Sequence, residues 1–456
     1  MARTLLKGGW IATMDDEGTE HPDGWVLLSG ERIEAIGGGA PPEADEVRDV
    51  NGAVVTPGLV NVHHHLCQTL TRARAQEADL LTWLRTLLPV WRIFDAESEY
   101  AAARAGIAEL ALSGCTTVFD HHYFFPRGGR GIVEAEVQAA RELCVRIVAS
   151  RGSMDLGESK GGLPPDDLVE EVDDVLADTE RLAALHQTGP GAMVQIAVAP
   201  CTPFTASREL FGESAELARR LGLPMHTHIA EVADEEPMCR ELYGIGLLDF
   251  MEETGWLGKE VWAAHCVHLS DADIDRFAAA RTGVAHCPAS NARLGCGIAP
   301  IRTMLDRQVK VGVGVDGTAS NERGDLLFEL KQALFMARAR GGAAAMSARE
   351  ALRIGTRGGA AVLRRDDIGS LEPGKCADIA VWRTDGLEFG GADDVVANLV
   401  LSAPHRVHQL YVGGELVVDD GRLVHADEDE IARAHREQAR RFSGEAGRLE
   451  RVGAPR

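Results

Sequence analysis

Eight short apolar segments, spaced through the middle of the chain with helix-like stretches between them, limit how this sequence can fold. They read GLVNVHHH, CTTVFDHH, CVRIVASR, AMVQIAVAP, PMHTHIAE, VWAAHCVH, GVAHCPAS and VKVGVGVD. Each has the length of a strand, and several are rich in valine, isoleucine and threonine. Among the intervening stretches, EYAAARAGIAELAL, ELFGESAELARRLG and DLLFELKQALFMARAR carry apolar residues at helical spacing. Strand and helix alternating in this way predict the α/β class and a (β/α)8 TIM barrel. A doubly wound open sheet is the structural alternative, but no Gly-rich phosphate fingerprint follows any strand.

The flanks have a different texture. TLLKGGWIAT, GWVLLSG, RIEAIGGG and NGAVVTPG at the start, and CADIAVWR and RVHQLYVGGELVVDDGRLV near the end, are short strands broken by glycine, proline and acidic turns. That is the pattern of antiparallel sheet. The terminal strands are expected to pair into one small β-sandwich beside the barrel. The expected organisation is a discontinuous sandwich domain at 1–57 and 368–425, a barrel at 58–367, and a C-terminal helical tail at 426–456. The tail segment HADEDEIARAHREQARR mixes both signs of charge, as a solvated helix does.

Composition removes several classes of partner. The 456 residues carry 47 basic and 70 acidic side chains, a formal charge of −23, which argues against nucleic acid. Nine cysteines are scattered singly with no C-x-x-C pair, the usage of a reducing compartment. The opening MARTLLKGGWIATM lacks a signal-peptide core, and no run approaches the ~18 apolar residues of a membrane span. A cytoplasmic protein without membrane partners is expected.

The chemistry is expected where the strands end. An apolar strand has no packing use for the three histidines that close TPGLVNVHHH. Side chains alternate along a strand, so His63 and His65 share one face and His64 takes the other. The later strands end in His121 and His122, His226 and His228, His265, and Asp316. A lone histidine at a strand end reads as a hydrogen-bonded structural residue. Five strands ending this way are a different matter, because a barrel gathers the C-terminal ends of its strands on one face.

A catalytic metal site uses three or so protein ligands and keeps a position for water. His63 and His65 supply two. His228 is the better third, because Glu231 follows three residues later and can aim a carboxylate back at the activated water as proton shuttle. Asp316 closes an all-apolar strand, where a carboxylate is costly unless a cation or hydrogen bonds offset its desolvation. Capping the next helix is its other reading, although Thr318 or Ser320 could cap equally well. His265 falls between, able to hydrogen-bond the activated water or to ligate the metal. His268 lies farther into the loop and reads as structural.

On PGLVNVHHH, HTHIAE, AAHCVHLS, CPASNARLGCGIAP, GVGVDGTASN and GSLEPGKCADIAVW, nearly the whole chain resembles the amidohydrolase superfamily. The resemblance implies a distorted barrel, a sandwich assembled from both termini, and one divalent metal ion per chain, Zn2+ or in some members Fe2+. It implies His63, His65, His228 and Asp316 as ligands, with Glu231, His265 and Asp316 handling protons. No candidate for a carbamylated lysine follows VQIAVAPCTPF, which argues against the binuclear branch. The loop motifs HHHLCQTLTRA, TTVFDHHYFFPRG and SRGSMDLGESKGGLPPD are most similar to 8-oxoguanine deaminases and related triazine hydrolases.

That likeness implies hydrolytic deamination of a small aminated N-heterocycle, foremost 8-oxoguanine to urate plus ammonia. Guanine, a pterin, an adenosine derivative or an s-triazine are the alternative substrates. Dehalogenating relatives can lack the acidic ligand that Asp316 provides. A non-catalytic scaffold of the same fold would have lost ligands, and this chain keeps the set. Gln68 offers a paired donor and acceptor to a purine amide edge, or is simply a helix-start residue. His121, Arg151 and Cys296 are further pocket candidates, and a homodimer is expected.

Overall fold

The computed structural model describes residues 2–126, 129–186, 189 and 191–453. Eight parallel strands close into a barrel: β1 (Leu59–Asn61), β2 (Cys115–Asp120), β3 (Arg146–Ser153), β4 (Val194–Pro200), β5 (Met225–Ile229), β6 (Val261–His265), β7 (Gly283–His286) and β8 (Val311–Val313). Closure is made where Val313 of β8 pairs with Asn61 of β1, which excludes the open-sheet alternative. Valine, alanine and aromatic side chains fill the barrel, with Val60, Phe119, Val148, Trp262 and Ala285 all buried in one cluster. The interior is therefore a packed core, and chemistry is confined to its rim.

The three quoted helical stretches form Ala96–Leu112, Arg208–Leu221 and Leu326–Gly341. Asp95, Ser207 and Asp325 start them by accepting backbone N–H groups at Ser98, Leu210 and Phe328. The second stops at Gly222, whose φ of +71° closes the left-handed cap.

Both termini build one nine-stranded mixed sheet. Its junction is the antiparallel pairing of Ala53–Pro57 with Ile379–Arg383, in register Pro57 to Ile379. The sheet encloses its own core of Leu6, Ile11, Val26, Val55, Ile379 and Val381, which makes it the small sandwich. Pro57 leads directly into β1, so the sandwich fixes where the histidine-bearing segment enters the barrel. The helix Glu428–Gly453 lies along Ala96–Leu112, with Gln438 Nε2 donating to Glu97 at 2.8 Å and Phe442 buried 5.4 Å from Phe94. Among the described residues no helix is long and apolar enough to cross a membrane.

Candidate active site

β1 ends at Asn61, so the three histidines occupy the extended segment just past the strand rather than the strand itself. The expected division of faces holds nonetheless. His63 and His65 rings lie 4.7 Å apart over the barrel mouth. His64 is buried elsewhere, close to helix Ala96–Leu112 at Gly106. Gly314 makes room for this segment: a Cβ there would stand 2.5 Å from His63 Cβ.

Hydrogen bonds set the tautomer of each imidazole. His65 Nδ1 lies 2.6 Å from the His121 carbonyl and His228 Nδ1 2.9 Å from the Cys201 carbonyl. A carbonyl only accepts, so both Nδ1 atoms carry the proton and both Nε2 atoms carry lone pairs. His226 Nδ1 is tied to the Trp262 carbonyl at 3.1 Å, leaving its Nε2 to accept from His63 Nδ1 at 2.9 Å. His63 Nε2 is then a lone pair as well, with no donor facing it.

The three Nε2 atoms converge. Those of His65 and His228 are 3.1 Å apart, and those of His63 and His65 each lie 3.3 Å from Asp316 Oδ1. Lone pairs of three imidazoles and a carboxylate pointed at one place repel each other unless a cation lies among them. Nitrogen and oxygen ligands of this kind suit a divalent transition metal. Two overlapping groups, His63 with His121 and His228, and His63 with His265 and Asp316, have ligand atoms within 4.8 Å of one another. The residues present fit a metal ion.

The electrostatics agree. Burial, then the neighbouring imidazoles, holds His65 and His228 well below the usual histidine range, in the neutral ligand form. Burial raises the Asp316 carboxyl, but His63, His265 and His65 outweigh it and hold it well below its ordinary value. Ser290 Oγ donates to Asp316 Oδ2 at 2.5 Å and the Gly317 N–H to Oδ1 at 2.6 Å, which leaves one lone pair of Oδ1 for the cluster. His265, Asp316 and Ala230 all adopt left-handed φ (71°, 61° and 53°), so the rim backbone is strained where it turns side chains inward.

Glu231 and His265 face the cluster as a pair, with His265 Nε2 3.5 Å from Glu231 Oε2. His265 Nδ1 donates to Asn291 Oδ1 at 2.9 Å, which aims Nε2 at Glu231. Burial, with the charges of Asp316 and Glu235 adding to it, pushes the Glu231 carboxyl up to about 7 against the opposing effect of His265. His265 is lowered by burial but raised overall by the charges of Glu231 and Asp316. Cys296 Sγ lies 3.6 Å from Glu231 Oε1.

A cavity opens over this group, with about 520 Å³ of empty space counting its open mouth. His65, His228, Glu231, His265 and Asp316 form its polar floor. Leu80, Trp83, Leu84 and Leu88, all from helix Leu80–Trp91, form an apolar wall. Gln68 lines the cavity from the turn Leu66–Thr71, buried, its Oε1 without a partner and its Nε2 only loosely 3.5 Å from Tyr123 Oη. His121 sits deeper, stacked on His228 at 4.8 Å with Nε2 donating to the Ala199 carbonyl. Arg151 is not brought to the cavity: Glu170 and Asp178 hold its guanidinium at 2.7 Å each, over the Phe125 ring.

Sequence reasoning passed over several residues that shape this geometry. Glu235 is buried and accepts the backbone N–H groups of Ala230, Glu231 and Val232, fixing the loop that carries Glu231. Its signal was present in EVADEE, hidden among exposed acids. Ser290 and Asn291 lay inside the quoted CPASNARLG without an assigned role. Nothing local marks His226 as the partner of His63.

The arrangement is that of a metal-binding (β/α)8 barrel with its site at the C-terminal ends of the strands. The chain belongs to the amidohydrolase family, which it matches over residues 54–417. It is 42% identical to 8-oxoguanine deaminase of Pseudomonas aeruginosa over 445 residues, covering 96% of this chain and 99% of that one. It is 37% identical to isoxanthopterin deaminase of an unknown prokaryotic organism, with 92% of both chains covered. The solved structure of atrazine chlorohydrolase from Arthrobacter aurescens TC1, complexed with zinc, superposes with a TM-score of 0.91 at 34% identity, covering 96% of this chain and 100% of that one.

Proposed function

We propose that this protein is a metal-dependent hydrolytic deaminase of an aminated N-heterocycle, with 8-oxoguanine its substrate. Water and 8-oxoguanine are consumed, and urate and ammonia are formed. The observation that carries the reading is the convergence of the His63, His65 and His228 Nε2 lone pairs with Asp316 Oδ1, opposite Glu231 and His265. The likeness to the Pseudomonas deaminase along nearly the full length supports the choice of substrate.

His63, His65, His228 and Asp316 would hold one divalent ion, Zn2+ foremost and Fe2+ the alternative. When bound, it supplies Lewis-acid chemistry that makes water a nucleophile near neutral pH. The Asp316 carboxylate, ionised in its ring of imidazoles, accepts the proton of the attacking water, with His265 beside it. Glu231, kept partly protonated by burial, protonates the ring nitrogen next to the amine-bearing carbon. It takes a second proton from the hydroxyl of the tetrahedral adduct, as that oxygen becomes the carbonyl, and delivers it to the amino group, so the leaving species is ammonia. The proton held by Asp316 then restores Glu231. The Gln68 amide reads the purine amide edge, and the wall from Leu80 to Leu88 keeps bulk water from the ring.

A second reading is an s-triazine aminohydrolase. The apolar wall favours it, since Trp83, Leu84 and Leu88 could bury alkyl substituents that a purine lacks. Nine free thiols suit the reducing cytoplasm that we take as its setting. Ammonia release by Zn2+-loaded protein from 8-oxoguanine, guanine, isoxanthopterin and an alkylamino-s-triazine tests the assignment. The highest kcat/KM is expected for 8-oxoguanine. A preference for the triazine moves the chain to the second reading.

A further inference from the structure

A second group of ligand-type side chains lies inside the protein and shares no residue with the barrel-mouth cluster. Glu99 comes from helix Ala96–Leu112, Asp120 from the end of β2, His122 from the loop after it, and Glu136 from helix Ile132–Glu142. All four are 0% exposed. Ligand atoms of Glu99, Asp120 and His122 lie within 4.8 Å of one another.

This group is short of positive charge. Both oxygens of Glu99 have no hydrogen-bond partner among the described residues, while Glu136 and Asp120 share a proton in a carboxyl–carboxylate hydrogen bond, Glu136 the donor. Asp120 Oδ1 accepts the Leu66 N–H at 2.6 Å. Among the described residues the only ion-pair partner of these carboxylates is His122, and it is an ambiguous one. Burial and then neighbouring carboxylates push Asp120 up to about 7 and Glu136 well above its ordinary value.

His122 points to what is missing. Its Nε2 lies 2.7 Å from the Phe124 carbonyl and must carry the proton there. Its Nδ1 faces Glu99 Oε2 at 3.2 Å with no hydrogen bond formed. In the neutral ring that is a lone pair against a carboxylate. Phe94, Phe124 and Phe125 pack around the imidazole with ring centroids at 5.4, 4.7 and 5.1 Å, so water does not screen the repulsion. Isolated carboxylates in such surroundings are costly, and a cation among them offsets the cost.

We propose that Glu99, Asp120 and His122, with Glu136 beside them, form a second, buried site for a divalent transition-metal ion. Two ionised carboxylates balance the ion, and the third carboxyl keeps its proton. Two oxygens and one imidazole nitrogen are ligands that Zn2+ and Mn2+ both accept. Through the Asp120–Leu66 hydrogen bond, such an ion would brace the segment that carries His65.

Elemental analysis of chelator-stripped protein reconstituted with Zn2+ and gel-filtered tests the proposal, and it does not depend on any activity at the barrel mouth. About two ions per chain are expected. Glu99→Gln and Asp120→Asn should each hold about one, and so should His63→Ala, which keeps the buried ion. If one of the acidic variants does not fold, the other and His63→Ala still give the count. One ion in the wild-type chain, lost in His63→Ala and kept in Glu99→Gln, would overturn the site and leave the group neutralised by protons. Two ions retained in Glu99→Gln and Asp120→Asn would overturn it equally.

Discussion

His65 and His228 face each other with Nε2 atoms 3.1 Å apart, and neither nitrogen has a proton to offer the other. The protons are on the far side of each ring, on Nδ1 atoms that donate to the carbonyls of His121 and Cys201. Both hydrogen bonds are thus spent on holding lone pairs in opposition. On the proposed reading a cation lies between them, which links metal binding to folding.

Stripping the metal should therefore lower Tm, and Zn2+ should restore it in a concentration-dependent way. At one hundred times Kd the ion contributes about 2.7 kcal/mol through mass action alone. In His228→Ala, Zn2+ should no longer restore the Tm contribution of the barrel-mouth ion, and activity should be lost with it. Differential scanning calorimetry with and without chelator checks this. An unchanged Tm on chelation would speak against the ligand set.

Glu231 should separate from the ligands. Glu231→Gln keeps the polar shape of the floor but cannot carry a proton. It should retain the barrel-mouth metal and lose about 10²–10⁴-fold in kcat. Metal analysis beside steady-state kinetics is the check. Loss of that metal by a folded Glu231→Gln protein would make Glu231 a ligand instead.

On the proposed reading, selectivity rests on Gln68. Its Oε1 is buried without a partner, a state that a substrate donor would relieve. In Gln68→Ala the purine edge loses its paired groups, at about 1–3 kcal/mol for each buried partner left unpaired. The expected fall in kcat/KM for 8-oxoguanine is about 10- to 100-fold with metal content unchanged. Equal kcat/KM in the variant would return Gln68 to a packing role.

The barrel and sandwich are joined by a buried ion pair. Arg146 on β3 donates from Nε to Asp378 Oδ2 at 2.7 Å and from Nη2 to Oδ1 at 3.0 Å, both side chains 2% exposed. Asp378 also accepts the Gly413 N–H at 2.7 Å, tying in the sandwich strands. Asp378→Ala strands a guanidinium in the interior, and about 3–5 kcal/mol of stability should be lost. Denaturant unfolding measures it. A loss below about 1 kcal/mol would mean that solvent reaches Arg146.

The barrel was legible because short apolar runs and helical runs alternate, and because histidines and Asp316 fall at the C-terminal ends of the strands. The histidines were legible for the same reason, although the strand meant to carry them is shorter than GLVNVHHH suggests. β8 is likewise cut to Val311–Val313, and Gly314 just beyond it leaves the space that His63 occupies. What sequence could not reveal is pairing across distance. Asn291 orients His265, His226 orients His63, and Glu235 anchors three amides of the loop before it. None of these contacts leaves a periodic trace. Arg151 illustrates the converse: a basic residue at a strand end looked available for substrate, and its acidic partners lie farther along the chain.

The central claim is that this site exchanges an amino group for an oxygen of water. Reaction of Zn2+-loaded protein with 8-oxoguanine in ¹⁸O-labelled water tests it most directly, with ammonia and urate counted together. About one ammonia is expected for each urate, with one labelled oxygen in the urate. Failure of the metal-loaded protein to consume 8-oxoguanine, or ammonia formed without label in the product, would contradict it.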